Sequence, residues 1–239
     1  MYHPSLLIAG TDTEVGKTVL TTSISAYWQK HYPHQRLGIF KPIQTGEGDR
    51  ELYHTLFQTG QSLDEITPLH FKTPIAPPIA AEREGRSIDL GVVWQQFQTL
   101  QQQRYWVIVE ALGGLGSPIT WELTVADLAR DWRLPTVLVV PVKLGAISQA
   151  VANVALARQS GVSLVGIVLN CIRPTTTEEI ADFAPAETIE SLTNTRVLGY
   201  LPHLTDPADL DQLAAIASDL DLEYILPNRS QPVDGNSPD

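Results

Sequence analysis

Lys17 and Thr18 close the run "GTDTEVGKT" at residues 10–18. An ammonium beside a hydroxyl, preceded by glycines, suits a polyphosphate and its counter-ion. Backbone N–H groups around 14–18 can converge on phosphate oxygens at a helix N-terminus. Thr13, Glu14, Val15, Gly16, Lys17, Thr18 and Val19 are therefore candidate nucleotide contacts. Lys17 has the length to reach the outer phosphates, and the Thr18 hydroxyl suits Mg²⁺, which prefers oxygen ligands. The usual spacing of such a loop puts its first glycine at Thr11, so Gly10 stands one place early. The plainer reading is a glycine-containing strand–helix turn with an incidental Lys-Thr.

Further chemistry lies at the ends of apolar runs. "YWVIVEALGG" (105–114) places Glu110 where a strand is expected to end, with glycines behind it. A carboxylate there can hold Mg²⁺ directly or through water, or it can be a solvated acid. "GIFKPIQTG" (38–46) places Lys41 at a second strand tip, with Thr45 four residues on. A cation at that edge stabilises an acidic co-substrate or the charge that grows in phosphoryl transfer. Its alternative is a lysine snorkelling at the sheet edge. Asp49 opens the next helical pattern, as a cap or as a third metal ligand. "LNCIRP" offers Asn170 for an adenine edge but Arg173 where a guanine-binding loop places Asp, which favours ATP over GTP.

These groups need a scaffold. Short apolar runs at 6–9, 37–40, 106–109, 136–140 and 164–169 read as strands covered on both faces, as in a parallel sheet. Helical patterns at 17–30, 50–59, 89–103, 124–132, 146–159 and 175–191 lie between them; a last strand near 196–199 precedes a helix near 207–219. Such alternation predicts a three-layer α/β/α sandwich with a mainly parallel sheet and right-handed crossovers. "TPIAPPIAAEREGR" (73–86), with its prolines, reads as a functional loop without a long helix. Residues 1–225 read as one domain, and the polar, Pro/Gly-rich 226–239 as a disordered tail.

The net charge of −11 argues against a broad grip on nucleic acid or anionic lipid. A lone cysteine, Cys171, fits a reducing compartment, and no signal peptide or membrane-length apolar run is read, so a cytoplasmic location is expected.

Taken in order, "GTDTEVGKT", "KPIQTG" (41–46), "PIAAEREGR" (78–86), "VIVEALGG" (107–114), "VVPVKLGAI" (139–147), "GIVLN" (166–170) and "GYLP" (199–202) resemble the dethiobiotin synthetase family across roughly 5–220. The early glycine belongs to that family's own form of the phosphate loop. The resemblance implies ATP as co-substrate, Mg²⁺, CO₂ and 7,8-diaminononanoate, in a homodimer whose substrate site lies between subunits. One amine takes up CO₂ as a carbamate, the γ-phosphoryl group activates it, and the second amine closes the ureido ring. Lys17 and Lys41 are the implied catalytic residues, and Thr18, Asp49 and Glu110 the metal ligands. Ala111, Leu112, Gly113, Asn170 and Pro202 are implied at the nucleotide. Thr45, Lys143, Leu144 and Gly145 are implied at the substrate, though Lys143 reads equally as a lysine ending a strand.

The sequence departs from the family pattern at Ala111-Leu112, where Gly-Ala is usual, and at Ser148, where some relatives carry Asn. The loop from Lys41 to Asp49 is also short. Two rivals share this loop type. A switch or partitioning ATPase typically carries a second lysine near the loop's front, where Asp12 stands here. A related amide-forming ligase shares the chemistry, and a degenerate, non-catalytic relative is the third alternative.

Overall fold

The computed structural model describes residues 4–227. In chain order the elements are β1 (Ser5–Gly10), α1 (Lys17–His31), β2 (Leu37–Phe40), β3 (Ile43–Thr45), α2 (Asp49–Leu56), α3 (Leu63–Ile66), β4 (Leu69–Phe71), α4 (Pro77–Arg83) and α5 (Leu90–Gln103). There follow β5 (Trp106–Gly114), α6 (Val125–Asp131), β6 (Thr136–Pro141), α7 (Ala146–Ser160), β7 (Leu164–Asn170), α8 (Thr177–Phe183), α9 (Ala186–Thr193), β8 (Val197–Leu201), α10 (Leu210–Ser218) and α11 (Leu222–Ile225). Six strands pair in the order β2-β5-β1-β6-β7-β8, every pairing parallel.

Alternation along the strands sends successive side chains to opposite faces. Leu7 and Ala9 of β1 join one apolar cluster with α5, α6, α7 and α9. Leu6 and Ile8 join another with α1, α10 and α11. Helices on both faces of a parallel sheet make the expected three-layer sandwich.

Several expectations change in detail. β5 does not end before Glu110 but runs on to Gly114, with a register shift opposite Ile8 and Gly10. Glu110 is therefore an interior strand residue paired with Ile8 and fully buried, which removes the reading of a solvated acid. The pattern at 175–191 splits into α8 and α9 because Pro185 lacks an N–H and disfavours helix in the residue before it. The stretch 73–86 contains one short helix, α4, with Pro77 and Pro78 in its first turn, where proline forfeits no helical hydrogen bond.

A two-stranded parallel sheet of β3 and β4 was not read from the sequence. Each strand has three residues, too few to show a period. Residues 228–239, within the tail read as disordered, lie outside the described residues; Leu226 packs against the second cluster. Among the described residues no helix is long and apolar enough to cross a membrane.

Candidate active site

The phosphate loop joins β1 to α1. Thr11 N–H donates to the Val139 carbonyl at 3.0 Å, which ties the loop's start to β6. The early glycine has a steric reason. A Cβ on Gly10 would stand 2.5 Å from a Val15 methyl and 3.3 Å from Lys17 Cδ. The loop folds back over its own first residue, so only a hydrogen fits there. Gly16, the N-cap of α1, has φ +100°, and a Cβ there would fall 1.9 Å from Asn170 Nδ2. Asn170 Nδ2 donates to the Val15 carbonyl at 2.9 Å, so the tip of β7 clasps the loop from below. Glu14 takes a left-handed φ of +55°. Thr13 N–H bonds the Asp12 carboxylate at 2.7 Å.

Lys17 is buried, and its Nζ donates to the Asp12 carbonyl at 2.9 Å. Burial pulls its pKa down to about 8, only partly offset by the Glu110 charge. The ammonium thus lies folded within the loop beside a carboxylate.

Glu110 is the hub. Register places β2's last residue, Phe40, opposite Val109, so Lys41 arrives beside Glu110. Lys41 Nζ lies 2.7 Å from Glu110 Oε1 and 2.6 Å from Asp49 Oδ2. Burial alone would lower the Lys41 pKa, but the charges of Glu110 and Asp49 outweigh it and raise the pKa. Asp49 feels burial in the opposite sense, and the Lys41 charge and hydrogen bond bring its carboxyl below the usual range. Thr18 Oγ1 donates to Asp49 Oδ1 at 3.1 Å and reaches Glu110 Oε1 at 3.5 Å. Thr21 Oγ1 donates to Glu110 Oε2 at 2.8 Å. The Tyr53 hydroxyl donates to the same oxygen. Burial and then the Glu110 charge lift Tyr53 well above its ordinary pKa, which keeps it a donor.

Asp49 is not the cap of α2. Gly48 takes that place at φ +140°, and Glu51 Oε2 accepts its N–H at 2.9 Å. Burial raises the Glu51 pKa, but hydrogen bonds from Arg50 and Gly48 bring it down to about 2. Gln44 Nε2 donates to Gly46 O at 3.1 Å and to Glu51 Oε2 at 3.0 Å, while its Oε1 accepts Arg50 N–H at 2.9 Å. This bracing aims the Asp49 carboxylate at Lys41 and Thr18. Sequence reasoning missed Thr21, Gln44 and Tyr53. Thr21 and Tyr53 stand three and four residues beyond Thr18 and Asp49, one helical turn on the same face, and that spacing was the signal available.

Ala111 lies in the apolar cluster that holds Leu7, Ile43 and Ile119, and Leu112 packs against that cluster. The close approach belongs to Gly114, where a Cβ would stand 2.7 Å from the Thr11 carbonyl oxygen, and Gly113 turns with φ +54°. Val19 continues α1, half-buried. Thr45 ends β3, half-buried, and is not among the partners of the Glu110 hub. Lys143, Leu144 and Gly145 form the β6–α7 turn; Leu144 is 84% exposed, and Gly145 caps α7 at φ +93°. Pro202 follows β8 on the surface. The structure thus gathers Lys17, Thr18, Lys41, Asp49 and Glu110; among the described residues, no side-chain hydrogen bond or ion pair joins Thr45, residues 143–145 or Pro202 to them.

A parallel sheet, a glycine-bearing loop running into α1, and a buried carboxylate paired with a buried lysine beside that loop define a P-loop nucleotide-binding protein. A family model described as AAA domain matches residues 4–209. A ParA family ATPase from Chlorobium tepidum superposes with a TM-score of 0.60 at 11% identity, covering 94% of this chain and 99% of that one. The cell division ATPase MinD of Pyrococcus furiosus gives 0.57 at 12% identity, covering 94% and 100%. At such identities the likeness speaks for the fold alone. The ATP-dependent dethiobiotin synthetase BioD of Gloeothece citriformis is 60% identical over 223 residues, 93% of this chain and 99% of the relative. That of Crocosphaera subtropica is 57% identical over 222 residues, 93% and 99%. That of Gloeobacter violaceus is 44% identical over 218 residues, 91% and 94%. The chain belongs to the ATP-dependent dethiobiotin synthetase family.

Proposed function

We propose that this chain is an ATP-dependent ligase that converts 7,8-diaminononanoate and CO₂ to dethiobiotin, a step of biotin synthesis, releasing ADP and phosphate. The observation that carries the reading is the 60% identity over 93% of the chain with a relative bearing that name. The geometry supports it, because two lysines and two carboxylates meet beside the phosphate loop.

In this reading Lys17 binds the outer phosphates. Lys41 shields the approach of an anionic carbamate to the γ-phosphate, swinging off one carboxylate to do so. Three hard oxygen donors, from Thr18, Asp49 and Glu110, converge within hydrogen-bonding distance and suit Mg²⁺, which needs few protein ligands when phosphates supply the rest. Bound there, the ion neutralises phosphate charge. Phosphoryl transfer has a loose transition state, so positioning by α1, β2 and β5 does most of the work. Thr45 and the turn at 143–145 are assigned to the diamine acid, with the N–H groups of α7 taking its carboxylate. Thr13 to Val19, Ala111 to Gly113, Asn170 and Pro202 are assigned to the nucleotide.

Residues 1–225 act as one unit in this reading, in the cytoplasm, as a homodimer. Leu144, Val151 and Leu192, 84%, 37% and 59% exposed, line a shallow groove of about 550 Å³ beside the proposed substrate turn, which supports pairing with a second copy there. Sedimentation of a monomer at assay concentration would remove the dimer. The activity is tested by ADP release with ATP, bicarbonate and 7,8-diaminononanoate. Release that needs both co-substrates is expected; equal release without them indicates a switch ATPase instead.

A further inference from the structure

The opposite edge of the sheet holds a second concentration of positive charge in this acidic chain. Arg36 immediately precedes β2, and Arg104 stands two residues before β5. Leu37 pairs with Trp106 in parallel, and Tyr105 N–H donates to the Arg36 carbonyl at 2.9 Å. Arg36 thus falls opposite Tyr105 and Arg104 one position earlier, and both line one cleft at the amino edge. Room for one of them is reserved in β2. A Cβ on Gly38 would stand 2.9 Å from Arg104 Cγ, so the glycine leaves a channel for the arginine stem.

Neither guanidinium forms an ion pair among the described residues. Arg104 Nε is sealed from solvent and finds no acceptor among them. Burial and then the Arg36 charge pull the Arg104 pKa down. Glu65 opposes that shift from a distance, but its carboxylate is engaged with Ser62 N–H at 2.7 Å. Two like charges that face one cleft repel, and an anion between them relieves that repulsion.

The arginines face a cleft of about 620 Å³, within the size range of small-molecule sites, lined also by Gln29, Gln35, Gln58 and Thr59. We propose that this cleft is a second anion site that takes a phosphate-bearing small molecule between Arg36 and Arg104, remote from the phosphate loop. A phosphate rather than a carboxylate is inferred because a dianion balances both guanidinium groups and offers oxygens to both forks.

The test uses the full chain with its phosphate loop filled by a non-hydrolysable ATP analogue and Mg²⁺. Calorimetric titration with inorganic phosphate is expected to show one further site. Arg104→Met, which keeps the stem over Gly38, and Arg36→Ala are each expected to weaken it about tenfold or more. Acetate is expected to bind at least about tenfold less tightly than phosphate. No phosphate binding to the nucleotide-filled chain, affinity unchanged from the parent in either variant, or acetate matching phosphate overturns the proposal. Should a variant fail to fold, tungstate soaked into crystals of the unaltered chain decides. Anomalous density between the two guanidinium groups is expected, and its absence refutes the site.

Discussion

Replacing Lys41 by Met keeps most of the side-chain length and removes the charge that joins Glu110 to Asp49. The two contacts, at 2.7 and 2.6 Å, are each worth about 6 kcal/mol of gross Coulomb energy at an effective dielectric of about 20. Desolvating the ions consumes several kcal/mol per ion, so the net worth of the cluster is small. Breaking it is another matter. Among the described residues, Lys41→Met leaves Glu110, fully buried, with hydroxyls as its only hydrogen-bond partners and the Lys17 charge as its one remaining cationic neighbour. Loss of one partner from a buried pair costs about 3–5 kcal/mol. For a chain of this size that lowers Tm by about 6–20 °C. Adding Glu110→Gln should recover most of the loss, because the remaining Asp49 side chain is 35% exposed and can hydrate. Melting curves of the two single variants and the double variant form the cycle. A coupling of at least about 1 kcal/mol is expected. ADP release should be abolished in all three, while Lys41→Met still binds ATP. A Lys41→Met protein that melts within about 1 °C of its parent refutes the reasoning, since a buried, unpaired carboxylate cannot be that cheap.

Tyr53→Phe removes one donor from Glu110 without changing shape; a loss of about 1–3 kcal/mol and a raised Mg²⁺ requirement for ADP release are expected. Parental melting and parental Mg²⁺ dependence together would show that the hydroxyl does not hold Glu110. Gly16→Ala drives a Cβ into Asn170 and strains a φ of +100°, so titration with a fluorescent ATP analogue should show binding about tenfold weaker or worse; unchanged affinity counts against the clasp. Asp127 accepts the N–H and hydroxyl of Thr124, and these hydrogen bonds hold its pKa below the ordinary 3.8. A depressed carboxylate contributes stability above its unfolded pKa and loses it as pH falls through the folded value. Asp127→Asn should therefore melt lower near neutral pH and converge on the parent in strong acid; a constant offset at every pH refutes that linkage.

Apolar runs and helical periods made the sheet, the order of its strands along the chain and the layers legible in the sequence. Runs such as "LLIA" and "VLVV" bury on both faces wherever they pair, so local pattern and global fold agree. The loop residues were legible for the same reason: a strand, a glycine turn and Gly-Lys-Thr lie within one short segment. The break at Pro185 was also written in the chain, and the period of the surrounding residues hid it.

What the chain order could not settle was which distant carboxylate meets which lysine. That depends on β2 lying beside β5 rather than beside β1, which brings Lys41 to Glu110 across 69 positions. It depends too on β5 running past Glu110, which turns an apparent surface acid into a buried one that must be paired. Tyr53 and Gln44 became part of the site only because α2 folds back over that edge. Sequence determines which side chains are able to do chemistry, because type and local period are written in it. Tertiary structure decides their partners and their burial, because a charge acquires its energy from neighbours that sequence distance does not encode.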